Sequence, residues 1–553
     1  MSSIKDTIRS TYGINRLVTG EYDPSVSASC GNGVFIGKKS GDVISFKGIA
    51  FACPPVGRLR WKAPLPCPDS AEIREAFYNG KSPIQTEWKT EVASYYPQGE
   101  DCLYLNVWKN SADTSEKKAV MVFFHGGSYG WGGTADPLYD GENFVRRHPD
   151  IILITVGYRV GLMGFVDLSC FTGGEKYPDA PNLGLLDQIE ALRWINRNAR
   201  AFGGDRKNVT IFGESAGGGS VSLLPIIPQA KGLFKRVIAE SGSVALTFSK
   251  EECRDFSVRL MKESKTKTME GLLKLSEDSL MEINKKLNYY NNFPQRDGRL
   301  IPSDPYEPYR SGATADVDIL IGTNSDEANY WVGEIGGLIP FRFSIPVKFE
   351  NDLRVLTKDD KQRVKQFLKL QSGHSMWRMA EFYDEMMFRL PAIEQASQHS
   401  KNGGKAYMYY WTHPSAIPYR GACHAVELAY VFGNLDESIF TGERADEQLS
   451  QAVTEMWTNF AKTGDPSVEG IKWEEYSCEN RATMIFEKTP HMESDVLSEQ
   501  RELLYPLLRH MITASYATLD YNVPFVRKLI AGGIGAAAAI AATVFMIKKV
   551  LEE

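Results

Sequence analysis

The stretch NVTIFGESAGGG, residues 208–219, is the clearest indication of the fold of this chain. Its first part, 209–212, is rich in β-branched and aromatic residues and predicts a strand. The next five residues, GESAG (213–217), match the pattern G-x-S-x-G, in which a serine stands on a sharp turn between a strand and a helix. Glycines on both sides let the backbone turn without a side-chain clash. The pattern therefore predicts that Ser215 is exposed and reactive at the end of a strand.

Outward from this stretch, short apolar segments alternate with segments of helical length. One helical segment is 185–197, where apolar residues recur on one face. Strands that alternate with helices form a mainly parallel sheet covered by helices, which is an α/β fold. Reactive groups collect at the carboxyl ends of strands in such sheets, and Ser215 falls at such an end. The predicted strands are 120–124, 151–157, 209–212, 236–239, 318–322 and 406–411.

The composition is that of a large folded protein. The chain has 553 residues, of which 43% are hydrophobic and 24% are charged, so it can bury a sizeable core. We find no internal linker or repeat and predict one catalytic domain over 1–515. The net charge of −6 argues against a nucleic-acid partner. The N-terminal sequence lacks a hydrophobic stretch of signal-peptide length, so we do not expect secretion.

Residues 529–547, LIAGGIGAAAAIAATVFMI, carry no charge and are flanked by basic pairs. At about 1.5 Å per residue, a helix of this length nearly spans a bilayer core of about 30 Å. Lysine and arginine at both ends can reach the lipid headgroups. We therefore predict a transmembrane helix that acts as a tail anchor. The seven alanines leave a second interpretation open, a helix or hairpin packed against the protein.

The anchor has consequences for location and assembly. Residues 516–528 would be a linker and 548–553 a short polar tail. The catalytic domain would face the cytosol, on either the endoplasmic reticulum or the mitochondrial outer membrane. Small residues four positions apart, such as Ala531 and Gly535, permit close helix pairing and suggest a homodimer.

The eight cysteines are scattered along the chain. They form no C-x-x-C pair, and no histidine stands at metal-ligand spacing, so we expect no metal. Without a secretory signal, reduced thiols are the expectation.

The run FFHGGSY, residues 123–129, predicts the end of a buried strand followed by a glycine pair. Attack on an ester carbonyl places negative charge on its oxygen, and backbone N–H groups presented by such a loop can stabilise that charge. A second donor would be the N–H of Ala216, directly after the nucleophile. An ordinary strand-to-loop turn is the alternative interpretation of this run.

A serine hydroxyl needs a base to accept its proton and an acid to orient that base. His424 follows a strand and a loop of small residues late in the chain, and His413 lies even nearer to the strand end. Asp326 and Glu327 both follow a predicted strand. Spacing alone favours His424 only slightly and does not choose between the two carboxylates.

The chain resembles the type B carboxylesterases, a family that includes liver carboxylesterases, cholinesterases and the non-catalytic neuroligins. The run EDCLYLNVW, 100–108, is similar to one signature of that family, and 202–217 is similar to the region around its nucleophile. The similarity extends in order across most of the chain. Further matching segments are 51–57, 241–243, 297–298, 322–327, 421–433 and 457–466.

The resemblance implies an α/β-hydrolase fold and a role for each site residue. Ser215 is the implied nucleophile, Glu327 the acid and His424 the base. The implied oxyanion donors are the backbone N–H groups of Gly127, Ser128 and Ala216. Ser128 stands where the family usually has a third glycine, so the donor depends on whether a serine adopts the required backbone conformation.

Two cysteines, Cys102 and Cys253, match positions that form disulfides in the family. The expected partner of Cys102 would fall near Pro83, where no cysteine stands, and Cys253 lacks a downstream mate. These departures are consistent with a reducing compartment.

The implied function is that of a serine carboxylesterase acting on lipid-type or xenobiotic-type esters. The reaction would proceed through an acyl-enzyme and need no cofactor. Two alternatives stay open: a non-catalytic adhesion protein of the neuroligin type, and a binding protein that is acylated once and releases the acyl group slowly.

Overall fold

An eleven-stranded sheet forms the centre of the molecule. The computed structural model describes residues 12–87, 92–112, 117–287, 293–332, 349–350, 352–373 and 375–510. Within them the strands are β1 Ser27–Cys30, β2 Gly33–Ile36, β3 Lys38–Ser40, β4 Val43–Ala50, β5 Ile73–Glu75, β6 Ser82–Pro83, β7 Gln98–Gly99, β8 Tyr104–Asn110, β9 Lys118–Phe124, β10 Ile151–Val156, β11 Gly204–Glu214, β12 Arg236–Glu240, β13 Asp318–Asn324, β14 Ala406–Trp411, β15 Ala482–Phe486 and β16 His491–Ser494.

The strand order of the large sheet is β16-β15-β14-β13-β12-β11-β9-β10-β8-β4-β3. The inner strands, from β15 to β10, pair in parallel. The strands at both edges pair antiparallel. A small sheet, β1-β2-β5, and a two-stranded ribbon, β6-β7, complete the strands of the described residues. The predicted mainly parallel sheet is confirmed.

The six predicted strands correspond to β9 through β14. They are recognisable from sequence because parallel strands covered on both faces are continuously apolar. Every residue of β9 and of β10 is buried. The main difference is the length of β11, which begins at Gly204 because that residue still pairs with Lys118 of β9.

Helices cover both faces of the sheet. In the described part of the chain the α-helices are Glu142–Arg147, Gly161–Gly164, Leu183–Asn198, Ala216–Leu223, Lys250–Ser264, Met269–Leu273, Glu277–Leu287, Glu307–Arg310, Asn329–Val332, Lys358–Leu370, Ser375–Tyr383, Leu390–Lys401, Leu428–Phe432, Glu447–Thr463 and Ser498–Leu504. A π-helix, Asp384–Arg389, joins two of them. The predicted helix 185–197 is confirmed as Leu183–Asn198.

The two largest hydrophobic clusters of the core lie on opposite sides of the sheet. Successive residues of β9 alternate between them: Val122 and Phe124 pack into one cluster, and Met121 and Phe123 into the other. This alternation follows from the pleat of a strand, which turns neighbouring side chains to opposite faces.

The sheet brings the ends of distant segments together. Glu214, the last residue of β11, lies opposite Glu240 of β12, and Glu240 lies opposite Gly322 of β13. The segments that follow these strands therefore emerge side by side at one edge of the sheet. That edge is where the candidate site residues meet.

No helix within the described ranges is both long enough and apolar enough to span a bilayer. The predicted anchor 529–547, the linker 516–528 and the polar tail 548–553 lie outside those ranges. All eight cysteines have free thiols.

Candidate active site

Ser215 stands at a sharp turn between β11 and the helix Ala216–Leu223. Its backbone has φ 57° and ψ −118°, a conformation that a residue with a side chain rarely adopts. Its N–H donates to the carbonyl of Glu240 at 2.9 Å, which ties the turn to the next strand. A β-carbon on Gly217 would lie 1.9 Å from the carbonyl oxygen of Phe124, so only glycine fits there. The strand-turn-helix predicted from the sequence is present.

Glu327 and His424 form the shortest contact of the site. Nδ1 of His424 lies 2.5 Å from Oε2 of Glu327, and both side chains are buried. Oε1 of Glu327 accepts from Ser241 Oγ at 2.6 Å and from the N–H of Asn324 at 2.8 Å. Since a carboxylate only accepts, the contact with Glu327 places a proton on Nδ1 of His424.

The other edge of the His424 ring points towards the serine turn. Nε2 lies 3.2 Å from Oε1 of Glu214, the residue directly before Ser215. Ser215 and His424 line one cavity together with the loop after β9.

Aromatic rings surround His424 on its remaining sides. The rings of Trp331 and Phe388 lie 5.1 and 5.0 Å from it, centroid to centroid, and Tyr330 lies at 6.1 Å. Such rings restrict the rotation of the imidazole and keep water away from it.

The structure separates the alternatives that spacing left open. His413 packs edge-on against Tyr430, and burial lowers the pKa of its imidazole. The carboxylate of Asp326 accepts from the N–H of Ala422 at 3.0 Å rather than from a histidine. Of the two neighbouring carboxylates, it is Glu327 that contacts the histidine.

The loop after β9 lies against the serine turn. A β-carbon on Gly126 would be 3.2 Å from Cβ of Ser215. Gly127 and Ser128 line the same cavity as Ser215, and Ala216 is the first residue of the helix that follows the turn. Ser128 has φ 51°, so the serine at this position does adopt the left-handed conformation. Two of the three predicted oxyanion donors, Gly127 and Ser128, therefore line the cavity, and the third, Ala216, directly follows Ser215 in the chain.

His125, which begins this loop, is a structural histidine. Burial lowers the pKa of its imidazole to about 4, so the ring is neutral at physiological pH. It stacks on Tyr158 with the ring centroids 4.3 Å apart.

Two further carboxyl groups, those of Glu240 and Glu427, lie buried behind Glu327. Burial raises the pKa of Glu240 to about 8, and its Oε1 accepts from Trp457 Nε1 at 2.6 Å. Burial, with the nearby Glu240 and Glu327, raises the pKa of Glu427 well above its ordinary value. The raised pKa values favour the protonated form of both groups, which reduces the negative charge behind Glu327.

Four residues of the site were not predicted from the sequence: Ser241, Asn324, Trp331 and Phe388. The position of Ser241 directly after β12 was an available signal, because polar residues at the carboxyl ends of parallel strands often face a site. The two aromatic residues gave no such signal, since an aromatic in a helical segment usually belongs to the core.

A mainly parallel sheet, a strand–serine–helix turn at its carboxyl edge and a buried histidine–carboxylate pair beside that turn define the class of α/β hydrolases. The model of the carboxylesterase family matches residues 23–503. The chain therefore belongs to the carboxylesterase family.

Individual relatives agree with this assignment. The chain is 35% identical to the para-nitrobenzyl esterase of Bacillus subtilis (strain 168) over 517 residues, which cover 89% of the chain and 99% of that protein. It is 31% identical to the bile salt-activated lipase of Bos taurus, covering 80% of the chain and 79% of the lipase. The solved structure of a carboxylesterase from Geobacillus stearothermophilus is similar with a TM-score of 0.78 at 31% identity, covering 86% of the chain and 99% of that structure. The protein is a carboxylic ester hydrolase.

Proposed function

We propose that the protein hydrolyses uncharged carboxylic esters, of lipid or xenobiotic type, with Ser215 as nucleophile, His424 as base and Glu327 as acid. The observation that carries this proposal is the 2.5 Å contact between His424 Nδ1 and Glu327 Oε2, beside the turn that bears Ser215. The contact leaves Nε2, the nitrogen that would accept a proton, directed at the turn.

The reaction would have two steps. His424 accepts the proton of Ser215 as the hydroxyl attacks the ester carbonyl, and then donates it to the departing alcohol. The N–H groups of Gly127, Ser128 and Ala216 stabilise the oxyanion, each contributing about 3 kcal/mol. Water then repeats the sequence on the acyl-enzyme, and Glu327 stabilises the imidazolium in both steps.

The walls of the cavity support the choice of uncharged esters. Its described lining includes the aromatic rings of Trp131, Tyr139, Tyr330, Trp331 and Phe440, with Glu214 as its acidic residue and no lysine or arginine. Apolar rings favour apolar acyl or alcohol groups. The name of the Bacillus subtilis relative, a para-nitrobenzyl esterase, points in the same direction.

Turnover of short-chain and medium-chain p-nitrophenyl esters by the full chain tests this proposal. We expect Ser215→Ala, or prior treatment with an organophosphate, to abolish hydrolysis. Ser222→Ala is the matched control, because Ser222 lies in the following helix and its hydroxyl donates to the carbonyl of Gly242. A stoichiometric burst without turnover would favour the binding protein that is acylated once, and full activity of Ser215→Ala would contradict the proposal.

We also propose that residues 529–547 anchor the protein in a membrane, with the catalytic domain in the cytosol and the organelle either the endoplasmic reticulum or the mitochondrial outer membrane. The support is the uncharged, base-flanked sequence. Protease added to intact organelles should digest the catalytic domain, and protection of that domain would contradict this orientation. Pairing of this helix would make a homodimer, which crosslinking in membranes would detect.

A further inference from the structure

Two short segments carry the proposed acid and base. We call residues 324–327 the acid loop and 421–424 the base loop. Their functional residues lie 97 positions apart in the chain, yet meet at 2.5 Å. A contact of that length between distant segments requires something that fixes the backbones relative to each other.

We propose that Asp326 is a positioning residue of the esterase: it clamps the base loop at Ala422 and so sets where His424 stands relative to Glu327. The inference rests on the proposed triad and assigns a role to the carboxylate that lies directly beside Glu327.

Asp326 and Ala422 exchange two hydrogen bonds. The N–H of Asp326 donates to the carbonyl of Ala422 at 3.1 Å, and the N–H of Ala422 donates to Oδ2 of Asp326 at 3.0 Å. The same oxygen accepts from Ser325 Oγ at 2.6 Å, and Oδ1 lies 3.3 Å from Nδ2 of Asn329. Since each carboxylate oxygen has a donor, the direction of the side chain is fixed.

The neighbouring contacts extend this clamp. Nδ2 of Asn324 donates to the carbonyl of Cys423 at 3.0 Å. The N–H of His424 points at the carbonyl of Glu327 over 3.4 Å, which is long for a hydrogen bond. Because the backbone contact at the histidine itself is weak, the pair formed by Asp326 and Ala422 is the firmer attachment on that side.

Packing also places Asp326 directly on the base loop. A β-carbon on Gly421 would lie 2.6 Å from Cγ of Asp326, so the carboxyl group rests on the backbone of this glycine. Ala422 and Cys423 are buried, which leaves their N–H groups little access to water. Removing the carboxylate would therefore leave the N–H of Ala422 buried without a hydrogen-bond acceptor. We expect the base loop to shift until this N–H reaches another acceptor.

A shift of that kind should act on the rate of the chemical step. Misplacement of a catalytic group by about 1 Å costs about 100-fold in rate. The cavity walls also include Trp131, Tyr139 and Phe440, which lie outside both loops. We therefore expect kcat to fall while KM changes little.

Steady-state hydrolysis of a p-nitrophenyl ester by the full chain tests the proposal. We expect Asp326→Ala to lower kcat about 10- to 100-fold, with KM within about twofold of the wild type. Asp326→Asn keeps an oxygen that accepts from Ala422 and should retain kcat within about threefold. Asp326→Glu keeps the charge but extends the side chain towards Gly421, so it should lower kcat despite that charge.

The matched control is Asp297→Ala. Asp297 is also a half-buried loop carboxylate, and it accepts from the N–H groups of Arg299 and Leu300. We expect this variant to lower the melting temperature and leave kcat within about twofold, because the loop is not part of the site. A merely structural role for Asp326 would make the two alanine variants behave alike.

Wild-type kcat in folded Asp326→Ala would overturn this inference alone. The same follows if Asp297→Ala loses as much kcat, or if KM rises instead of kcat falling. If Asp326→Ala does not fold, the comparison of Asp326→Asn with Asp326→Glu decides: an active asparagine variant and an impaired glutamate variant support the clamp, and the reverse contradicts it. A wild-type protein without turnover would overturn the proposed function and this inference together.

Discussion

The turn that bears Ser215 and the pair formed by Glu327 and His424 are assembled by different means. The turn lies within one continuous stretch of twelve residues, 208–219, and its shape depends on glycines that are part of the same motif. The pair joins two loops that are 97 positions apart, each a few residues long. A motif search therefore finds the serine, whereas the identity of its partners depends on which loop ends the sheet brings together.

The same difference appears in the energetics. The turn is fixed by steric exclusion, since there is no room for a side chain at Gly217. The pair is fixed by hydrogen bonds to Glu327 from Ser241 and Asn324 and by the packing of aromatic rings. We therefore expect substitutions in the turn to reduce stability and activity together, and substitutions in the pair to reduce mainly activity.

We expect the largest loss of activity from a substitution in the pair formed by Glu327 and His424. His424→Gln should lower kcat about 10⁴-fold or more, because no other group would accept the serine proton. The melting temperature should change little, since glutamine can still donate towards Glu327. The measurement is steady-state hydrolysis of a p-nitrophenyl ester.

His413→Gln is the control for that prediction. His413 was the second candidate base, and its imidazole packs against Tyr430. We expect this variant to keep kcat within about twofold. Equal losses in the two variants would contradict the assignment of the base.

The next effect falls on the turn. Gly217→Ala places a methyl group 1.9 Å from the backbone oxygen of Phe124, and a backbone atom cannot move aside cheaply. We expect a loss of about 3–5 kcal/mol in the free energy of unfolding, together with a loss of activity. Thermal melting and ester turnover would both be measured.

Gly20→Ala provides the comparison, because a β-carbon at Gly20 meets nothing within 4 Å. It should shift the melting temperature hardly at all. A wild-type melting temperature in Gly217→Ala would show that the turn is not sterically fixed.

A smaller effect concerns the buried carboxyl behind the pair. The pKa of Glu240 in the folded state, about 8, lies above its ordinary value of 4.5, so the folded state holds a proton that the unfolded state releases. This contribution to stability is complete below about pH 4.5 and is lost as the pH rises towards 8. Glu240→Gln removes that loss and still accepts from Trp457. We expect it to gain about 3 to 4 kcal/mol relative to the wild type between pH 5 and 8.

Melting temperatures of both proteins across that pH range measure the difference. The exposed Glu469→Gln should leave the pH dependence of the wild type unchanged. Parallel curves for wild type and Glu240→Gln would mean that Glu240 is already ionised in the folded protein.

We expect the smallest effect from a substitution in the loop after β9, which holds two of the proposed oxyanion donors. Ser128 adopts φ 51°, which costs a residue with a side chain about 1 kcal/mol relative to glycine. Ser128→Gly should therefore raise the melting temperature slightly and keep kcat within about threefold, because the backbone donor is retained. A lower melting temperature would indicate that the serine hydroxyl makes a stabilising contact.

The elements of the fold also differ in how well they could be predicted from the sequence. The six inner strands and the helix Leu183–Asn198 were predictable. Segments buried on both faces of a sheet are continuously apolar, and in a helix apolar residues recur every three or four positions. The length of β11 was not predictable from the sequence, because its first residue, Gly204, belongs to the strand only through its pairing with Lys118 of β9.

The candidate site divides in the same way. The turn at Ser215 and the glycine-rich loop that holds Ser128 could be predicted from local sequence, because both depend on steric limits of neighbouring residues. Spacing could not choose between Asp326 and Glu327 or between His413 and His424, and only resemblance to a family indicated the answer. The tertiary structure decided the contacts, because parallel strand order places the loop after β13 beside the loop after β14 and turns Glu327, and not Asp326, towards the histidine.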